Sequence, residues 1–505
     1  MQALTEHDGL DPRPERLDRL ALRGRRGDAA LVDRAGTLDY AGLDAAVGSL
    51  AAHLAERAAP GDRVVSWLPK TRTACLMALA CARAGLVHVP VNPLLKRAQV
   101  AYILADSDAA LVVTQVARAG LLEAGDVPEG CALLIDEALA APHRAPLPPS
   151  AGSTDDLVAL LYTSGSTGRP KGVMLSHANL WLGAIAVAHY LQLTPADRIL
   201  AVLPLSFDAG LNQLLSSWAA GASVVPLDYL VAGDVVKAVG RHDVTTLAGV
   251  PPLWLQLAEA TWPAETAARL HVLSATGGRM PAPLVRRLRQ IFPQASLHLM
   301  YGLTEAFRST SLDPGLVDAH PESIGRAIPL AEILVARPDG SLAAPGEPGE
   351  LVHAGPLVAQ GYWRDPERSA QRFRPAPEGS RLGGVAAWSG DTVVRGADGL
   401  LRFVGRDDEM IKVSGNRISP TEIEEAAIAS GGVHEAMALG VPDDRTGQAI
   451  RLVLRGDGDE VRIRHYFRAN LPNFQQPRDI LWVDALPRNP NGKLDRVAIA
   501  GEHGA

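Results

Sequence analysis

A segment rich in glycine and hydroxyl side chains follows a predicted strand at 155–161, which is apolar from Leu157 onward, and has the composition of a phosphate-binding loop. Glycines let backbone N–H groups approach phosphate oxygens, hydroxyls add donors, and a lysine adds positive charge. The loop is not a Walker A motif, because Gly172 stands where serine or threonine would follow the lysine. Its apolar flanks argue against the alternative of a flexible surface linker. The candidate residues are Thr163, Ser164, Gly165, Ser166, Thr167, Gly168 and Lys171.

The stretches around this loop predict the scaffold that holds it. Leu43 to Ala55 and Arg72 to Ala84 have apolar residues at helical spacing, whereas Val64 to Leu68 and Gly85 to Pro90 have the composition of strands. Helices that alternate with apolar strands are typical of a parallel α/β sheet. The same alternation returns at 199–299, and short strands broken by glycine and proline at 333–403 predict a β-rich subdomain.

The length of the chain indicates how many domains it forms, and its net charge and cysteines restrict its partners and its location. A chain of 505 residues is too long for one ordinary core, and we predict an N-terminal domain over 1–404 and a smaller C-terminal domain over 405–505. The net charge of -7 provides no basic surface for nucleic acid. Cys75, Cys81 and Cys131 form no metal-binding or disulfide pattern, and we expect a reducing, cytoplasmic location.

The longest uncharged run, Gly172 to Ala196, is long enough to cross a bilayer. Because it contains His177, Asn179, His189 and Gln192, we interpret it instead as a buried helix that begins near Ser176 as the N-cap. The charged N-terminus does not have the pattern of a signal peptide. We therefore expect no membrane span.

Five further motifs follow the glycine-rich loop in order. They are Tyr301-Gly302-Leu303-Thr304-Glu305; Gly349-Glu350-Leu351 with Gly361-Tyr362-Trp363; Ser389-Gly390-Asp391; Gly405-Arg406-Asp407-Asp408 with 411–418 and 422–424; and 490–496. With the loop, they resemble the motifs of the adenylate-forming superfamily of acyl-CoA synthetases, peptide-synthetase adenylation domains and luciferases. The resemblance spans nearly the whole chain. It implies a large domain of parallel α/β sheets with a β-rich subdomain, followed by a small mobile α+β domain.

The resemblance implies an ATP-dependent, AMP-forming ligase, in which the loop and Lys171 bind phosphates. Glu305 is then the ligand of Mg²⁺, a role that suits a hard oxygen donor, and Thr304 donates to the α-phosphate. Tyr301 faces adenine, Asp391 accepts hydrogen bonds from ribose hydroxyls, and Arg406 lies near ribose or phosphate. Taken singly, each of these residues has a common structural alternative, such as a surface ion pair or a turn.

The C-terminal motif implies a second set of roles. Lys493 would contact the substrate carboxylate and the α-phosphate during adenylation, where it would stabilise developing negative charge. The small domain would then pivot at Asp408, so that Gly415 lines a tunnel for the thiol of CoA or of a phosphopantetheinyl carrier protein. Only nine residues follow Arg496, so we expect any carrier protein to act in trans.

The identity of the acid rests on the predicted substrate pocket, to which the resemblance assigns Asp208, Gly277, Met300 and Arg308. The segment containing Phe207 and Asp208 is similar to that of amino-acid adenylation domains, where the aspartate pairs with the substrate ammonium. Arg308 could bind a second carboxylate, with Asp208 and Arg308 at opposite parts of the pocket. Asp208 could instead cap a helix that begins near Gly210, and Arg308 could pair with Asp208 and leave a neutral pocket.

Three functions remain open from the sequence. The first is a ligase for an amino acid or another polar acid, with a motif pattern closest to AMP-forming ligases associated with exosortase A systems and to stand-alone amino-acid ligases. The second is a fatty or aryl acyl-CoA synthetase. A non-catalytic nucleotide-binding protein is the third, and the complete set of motif residues argues against it. A luciferase-like oxygenase has no positive feature in this sequence.

Overall fold

A computed structural model of the protein describes residues 10–139, 145–163, 170–406, 410–413, 416–443, 446–471, 473–490 and 492–504. Their strands form three sheets, of 14, seven and five strands. Two of these sheets belong to the first four-fifths of the chain, and the third contains only strands from its last part. Among the described residues, no helix is both long enough and apolar enough to span a membrane.

The first part of the chain alternates helices with strands, as predicted. Its helices are α1 (Tyr40–Ala55), α2 (Arg72–Ala84), α3 (Arg97–Asp106) and α4 (Val116–Ala119), and its strands are β1 (Ala29–Asp33), β2 (Gly36–Asp39), β3 (Arg63–Trp67), β4 (Val87–Pro90), β5 (Ala109–Thr114), β6 (Ala132–Ile135), β7 (Leu157–Thr163) and β8 (Lys171–Ser176). Strands β3 to β7 pair in parallel, and β8 joins β7 antiparallel. The glycine-rich loop therefore connects two neighbouring strands of the seven-stranded sheet.

Helix α2 illustrates how the sequence specifies this part of the fold. The Thr71 hydroxyl accepts a hydrogen bond from the N–H of Ala74 and caps the start of the helix, and Gly85 ends it in a left-handed conformation with φ of 72°. Cys75 and Cys81 are fully buried. The small side chains along this helix are therefore core residues, as the sequence predicts.

The second part of the chain builds most of the 14-stranded sheet. Its helices are α5 (His177–Tyr190), α6 (Asp208–Ala219), α7 (Ala232–His242), α8 (Pro251–Glu259), α9 (Ala264–Ala267), α10 (Ala282–Ile291) and α11 (Pro366–Arg372). Its strands are β9 (Arg198–Ala201), β10 (Ser223–Pro226), β11 (Thr246–Gly249), β12 (Val272–Ala275), β13 (Ser296–Tyr301), β14 (Thr310–Ser311), β15 (Ser323–Ala327), β16 (Glu332–Ala336), β17 (Pro348–Ala354), β18 (Gly361–Tyr362), β19 (Phe373–Pro375), β20 (Val385–Arg395) and β21 (Leu401–Arg406). Of these, β18 alone joins β8 in the seven-stranded sheet.

The 14-stranded sheet changes from parallel to antiparallel at β13. Strands β9 to β13 pair in parallel, whereas β13, β14 and β15 pair antiparallel with one another in turn. The antiparallel half contains β15 to β17 and β19 to β21. Strands β16, β17 and β19 to β21 correspond to the β-rich subdomain predicted at 333–403, and β15 precedes that range. In α/β sheets, ligands bind beyond the carboxyl ends of strands where the order of strands changes. Tyr301, the last residue of β13, lies at such a point.

Two predictions about helix starts have different outcomes. Ser176 is the N-cap of α5, and its hydroxyl accepts from the N–H of Asn179, as predicted. The prediction that Asp208 caps a helix beginning near Gly210 was wrong, because α6 begins at Asp208 itself with Phe207 as the N-cap residue. The backbone carbonyl of Pro204 approaches Gly210 so closely that any larger residue there would clash with it. Gly210 is therefore needed for packing inside the first turn.

The last part of the chain forms the five-stranded sheet with three helices. They are β22 (Ile411–Val413), β23 (Asn416–Ile418), β24 (Val433–Asp443), β25 (Gly447–Gly456), β26 (Asp479–Trp482), α12 (Pro420–Ala429), α13 (Glu460–Asn470) and α14 (Arg496–His503). This sheet has its own apolar core, in which Ile423, Leu452 and Phe467 are fully buried. Strand β21, which crosses the predicted boundary at 404–405, pairs with β20 and β15 in the 14-stranded sheet.

Candidate active site

Lys171 lies at the end of the glycine-rich loop and begins strand β8, directly opposite Thr163 of β7. Its Nζ lies 2.5 Å from the Tyr362 hydroxyl and 3.1 Å from Oε1 of Glu305. Tyr362 reaches this position because β18 pairs with β8 on the side away from β7. Three separate motifs of the sequence therefore meet at one lysine ammonium.

Glu305 is the centre of this charged cluster. It lies in a short 3-10 helix, Thr304–Ala306, that follows β13, and both Thr304 and Glu305 are buried. The Tyr362 hydroxyl donates to Oε1 of Glu305 at 2.6 Å, and Nε of Arg372 lies 3.9 Å from the same oxygen. Burial would raise the pKa of Glu305, but the charges of Lys171 and Arg372 and the bond from Tyr362 hold that pKa below its ordinary value. Glu305 is therefore an anion at neutral pH.

The hydroxyl of Thr163, at the entrance to the loop, is buried and has no hydrogen-bond partner within the described ranges. A buried hydroxyl without a partner is costly unless a ligand or water satisfies it. Thr163 therefore has a free donor at the side of the lysine cluster. The predicted phosphate contacts of Ser164, Gly165, Ser166, Thr167 and Gly168 lie outside the described residues.

The residues predicted to bind the nucleoside meet at the antiparallel half of the large sheet. The Tyr301 hydroxyl donates to Oδ2 of Asp391 at 2.5 Å, and the Tyr301 ring lies 6.3 Å from the ring of Phe403. Asp391 on β20 pairs directly with Arg406 on β21, so the two backbones are neighbours. The side chain of Arg406 lies outside the description. The carboxyl end of β13 is thus bordered by the ring of Tyr301, the carboxylate of Asp391 and the backbone of Arg406.

Lys493 comes from the C-terminal part of the chain and reaches the N-terminal part. Its Nζ lies 4.9 Å from the centre of the Phe207 ring. Its Cε would lie 2.7 Å from a Cβ at Gly277, and Gly277 has φ of 80°, so this position accommodates only glycine. The turn that carries the lysine is also held in place, because Nδ2 of Asn92 donates to the carbonyl of Pro490 at 2.8 Å.

A small cavity of about 30 Å³ lies between helices α5 and α6 and the parallel half of the large sheet. Strands β9, β11, β12 and β13 form its floor, and Met300 and Arg308 line it beside the Tyr301–Glu305 motif. Thr276, at the edge of the cavity, is the neighbour of Gly277, against which Lys493 packs. The cavity is therefore next to the lysine and next to the motif that carries Glu305.

Asp208 and Arg308 contact each other, and the prediction that they lie at opposite parts of the pocket was wrong. Nη1 of Arg308 lies 3.2 Å from Oδ2 of Asp208, and both residues are 3% exposed. Oδ1 of Asp208 accepts from the N–H of Ala209 at 2.7 Å. Helix α6 carries Asp208, and the segment between β13 and β14 carries Arg308, so their packing brings the two charges together. This pairing offsets the cost of burying the carboxylate. This is the paired arrangement that the sequence left open.

Several residues of the site were not predicted as functional. Tyr362 stands in a quoted motif, but its role depends on the pairing of β18 with β8, which the sequence does not reveal. Arg372, at the end of α11, belongs to no motif. Phe207, Asn212 and Ser274 contact Lys493 or line the cavity only because distant elements pack together. The helical spacing of Asp208 and Asn212 was the one available signal, since residues four apart share a face.

Two predicted roles cannot be placed in space. The hinge at Asp408 and the tunnel residue Gly415 both lie outside the described residues. Both remain predictions from the resemblance, as does the division of the chain at 404–405.

Comparisons with known proteins agree with this architecture. The family model of the AMP-binding enzyme matches residues 18–363, and that of the AMP-binding enzyme C-terminal domain matches 422–493. The L-proline--[L-prolyl-carrier protein] ligase of Pseudomonas fluorescens is 30% identical over 93% of this chain and 95% of its own length. The feruloyl-CoA synthase of an Amycolatopsis species is 34% identical over 92% of this chain and 94% of its own.

Solved structures are similar over nearly the whole chain. ATP-bound MatB from Rhodopseudomonas palustris has a TM-score of 0.88 at 27% identity, with 97% of this chain and 99% of that chain covered. The o-succinylbenzoate CoA synthetase of Bacillus subtilis, in complex with its acyl-adenylate, has a TM-score of 0.83 at 26% identity, with 96% and 98% covered.

Fold, site and comparisons define a class of enzyme that activates acids with ATP. The chain belongs to the AMP-binding enzyme family. It is an AMP-forming acid–thiol ligase of the acyl-CoA synthetase and amino-acid adenylating type, as the sequence motifs predict.

Proposed function

We propose that this ligase activates a small polar acid as its acyl-adenylate and transfers the acyl group to a pantetheine thiol. The observation that carries this proposal is the position of Lys493. A lysine of the C-terminal part lies against Phe207 and Gly277, beside a cavity with a polar lining. A cation at that point can pair with the carboxylate of an acid whose remaining atoms enter the cavity.

The cluster around Glu305 supports a role in binding the triphosphate. Lys171 and Arg372 are two cations beside one buried carboxylate, and the hydroxyl of Thr163, which has no partner among the described residues, is a further donor. Phosphate oxygens would pair with the cations, which suits the negative charge that develops in phosphoryl transfer. During adenylation, the acid carboxylate attacks the α-phosphorus and pyrophosphate leaves.

The donor set around Glu305 also fits Mg²⁺. Within the described ranges, no group of three or more acidic, histidine or cysteine side chains could hold a metal. Mg²⁺ in ATP-dependent enzymes needs only one or two carboxylates, because phosphates and waters supply its other ligands. Glu305, an anion with buried surroundings, would hold the ion, which would neutralise charge on the phosphates. Thr304 is adjacent and would donate to the α-phosphate.

The nucleoside would lie against Tyr301 and Asp391. The Tyr301 hydroxyl already holds the Asp391 carboxylate at 2.5 Å, so that carboxylate has a fixed position for accepting ribose hydroxyls. Arg406, opposite Asp391 on β21, would contact ribose or phosphate. After adenylation, the C-terminal domain would turn about Asp408 and bring Gly415 to the thiol tunnel.

The cavity favours a polar acid over a fatty or large aryl acid. A volume of about 30 Å³ is far below the several hundred cubic ångströms that drug-sized ligands occupy. The thiol would come from CoA or from a carrier protein, since the similar proteins include a carrier-protein ligase and a CoA synthase. The three free cysteines fit a cytoplasmic enzyme.

Acid-dependent exchange of labelled pyrophosphate into ATP tests this proposal. We expect exchange with small polar acids, dependence on Mg²⁺, and thioester formation when CoA or a phosphopantetheinyl carrier protein is added. A matched panel of amino acids, diacids, fatty acids and aryl acids supplies the comparison. Preference for a long fatty acid or a large aryl acid would refute the polar-acid assignment, and no exchange with any acid would refute the proposed function.

A further inference from the structure

The small cavity contains polar atoms that the described part of the protein leaves without partners. Asn212, Ser274 and Arg308 all line it and are 2%, 1% and 3% exposed. Oδ1 of Asn212, Oγ of Ser274 and Nε of Arg308 have no hydrogen-bond partner among the described residues. Buried polar atoms in native proteins are nearly always satisfied, and each one that is not needs an explanation. Three of them around one cavity are able to bind the polar atoms of a ligand or of ordered water.

Neighbouring polar groups show that this is not general poor packing. On the same helix, the Ser216 hydroxyl donates to the carbonyl of Asn212 at 2.6 Å, and the Ser217 hydroxyl donates to the carbonyl of Gln213 at 2.5 Å. The Gln213 amide donates to one backbone carbonyl and accepts from a backbone N–H. Among the described residues that line this cavity, the buried side-chain atoms without a partner belong to Asn212, Ser274 and Arg308.

The types of these atoms restrict the group that can satisfy them. Nε of Arg308 can only donate, so it requires an acceptor, whereas the Asn212 carbonyl oxygen requires a donor. The Ser274 hydroxyl can do either. A hydroxyl group both donates and accepts and so satisfies all three. An ammonium cannot accept from Arg308, a carboxylate cannot donate to Asn212, and an alkyl group would leave all three unsatisfied.

The charges of Asp208 and Arg308 also favour a neutral polar group in the cavity. Arg308 is already neutralised by Asp208 at 3.2 Å, and both oxygens of Asp208 have partners, Arg308 and the N–H of Ala209. Because Arg308 already compensates the charge of Asp208, a substrate ammonium beside the pair would add an uncompensated positive charge, and Arg308 does not present an uncompensated charge to a second carboxylate. Burying a further unpaired charge in this position would be costly. A neutral polar group meets no such cost.

Size limits the length of the acid. The cavity volume of about 30 Å³ corresponds to about two waters, since about 10–15 Å³ of this measure holds one. A substituent of about two or three non-hydrogen atoms beyond the activated carboxyl carbon fits this space. An aromatic ring or a long alkyl chain does not.

We infer that the acid activated by this enzyme is a short hydroxy acid whose hydroxyl binds Asn212, Ser274 and Arg308. The inference rests on the proposed function, because it takes the cavity beside Lys493 as the acid site. Asn212 and Ser274 are then specificity-determining residues for the adenylation reaction.

Pyrophosphate exchange with acids of matched length tests the inference in the full-length enzyme. The panel is 2-hydroxypropanoate and 3-hydroxypropanoate, with propanoate, alanine, β-alanine and malonate as their apolar, ammonium and carboxylate counterparts, and ferulate as a large aryl acid. We expect one of the hydroxy acids to exceed every counterpart in kcat/KM by at least about tenfold, because a site built to bind a hydroxyl rejects analogues that lack it. A counterpart that equals or exceeds both hydroxy acids would overturn the inference while leaving the proposed function standing.

Variants separate recognition from stability. Ser274→Ala and Asn212→Leu should each lower the ratio of kcat/KM for the preferred hydroxy acid to kcat/KM for propanoate by about tenfold. The matched control is Ser217→Ala, which removes a buried hydroxyl of α6 that donates to the backbone carbonyl of Gln213 and should not change the ratio of the two acids. Thermal stabilisation by ATP alone shows that each variant is folded. An unchanged ratio in both test variants would overturn the assignment, and no exchange with any acid in an ATP-binding enzyme would overturn the proposed function with it.

Discussion

The buried pair of Asp208 and Arg308 provides the sharpest test of the site as the structure describes it. The Arg308→Met variant removes the cation but keeps an unbranched apolar side chain in place of the aliphatic stem of the arginine. Asp208, 3% exposed, then loses its charged partner and, within the described part of the chain, keeps the hydrogen bond from the N–H of Ala209. Breaking a buried pair in this way costs about 3–5 kcal/mol, because the remaining charge is uncompensated.

The double variant Asp208→Asn with Arg308→Met supplies the magnitude of the coupling. Removing both charges leaves no buried ion, so the double variant should recover most of the stability that Arg308→Met loses. We expect a coupling energy of about 2–3 kcal/mol in a double-mutant cycle, near the upper end for residues in contact. Urea unfolding followed by tryptophan fluorescence measures it, with the midpoint and slope fitted for all four proteins.

Two results would refute this reasoning. Additive effects of the two substitutions would mean that Asp208 and Arg308 do not stabilise each other. A selective loss of activity on amino acids relative to their hydroxy counterparts in Asp208→Asn would mean that Asp208 holds a substrate ammonium instead. The second result would favour an amino acid as the substrate, because only an aspartate that contacts the substrate ammonium would affect amino acids selectively.

The remaining predictions concern the lysine, the hinge, the phosphate cluster and a buried histidine. Lys493→Ala should abolish pyrophosphate exchange yet leave thiol transfer from a supplied adenylate largely intact. Asp408→Pro should retain exchange and lose thioester formation, because proline restricts φ and so prevents the pivot. Equal loss of both half-reactions in either variant would contradict a C-terminal domain that adopts one conformation for adenylation and another for thiol transfer. Tyr362→Phe removes the hydroxyl that lies 2.6 Å from Oε1 of Glu305. It should raise the KM for ATP about tenfold, which is the effect of losing one hydrogen bond to a charged group. An unchanged KM in steady-state assays would argue against phosphate binding at the cluster around Glu305. Burial lowers the pKa of His88 to about 3 from 6.5, so its stabilising contribution is complete above pH 6.5 and is lost as the pH falls from there toward 3. Between pH 7 and 5, the free energy of unfolding should therefore depend less on pH in His88→Gln than in the parent protein. An identical dependence of that free energy on pH in the two proteins would contradict this prediction.

Much of this protein is accessible from sequence because its information is local. The helix from Arg72 to Ala84 has a capping threonine, a small-residue core face and a terminal glycine, and the structure has that helix with the same bounds. Ser176 caps α5 for the same reason. Short-range hydrogen bonds and hydrophobic periodicity determine such elements wherever they are placed.

The motifs also identified residues that the fold brings together. Lys171 and Glu305 are 134 residues apart in sequence and 3.1 Å apart in space, and Tyr301 and Asp391 are 90 apart and hydrogen-bonded. The sequence could nominate these residues because a resemblance to a known family supplies the spatial relation that spacing alone does not contain. It could not nominate Arg372, which no motif includes.

By itself, the sequence determined the class of fold, the class of reaction and most of the residues that meet around Lys171 and around Tyr301. Only the tertiary structure decided the state of the acid pocket. Whether Asp208 faces Arg308 or a substrate depends on how α6 packs against the segment after β13, a relation between positions 100 residues apart. The partnerless atoms of Asn212 and Ser274 likewise come from helix α6 and strand β12 meeting at one cavity. A polar side chain in a sequence carries no record of whether its hydrogen bonds are satisfied, because that depends on every element that packs around it.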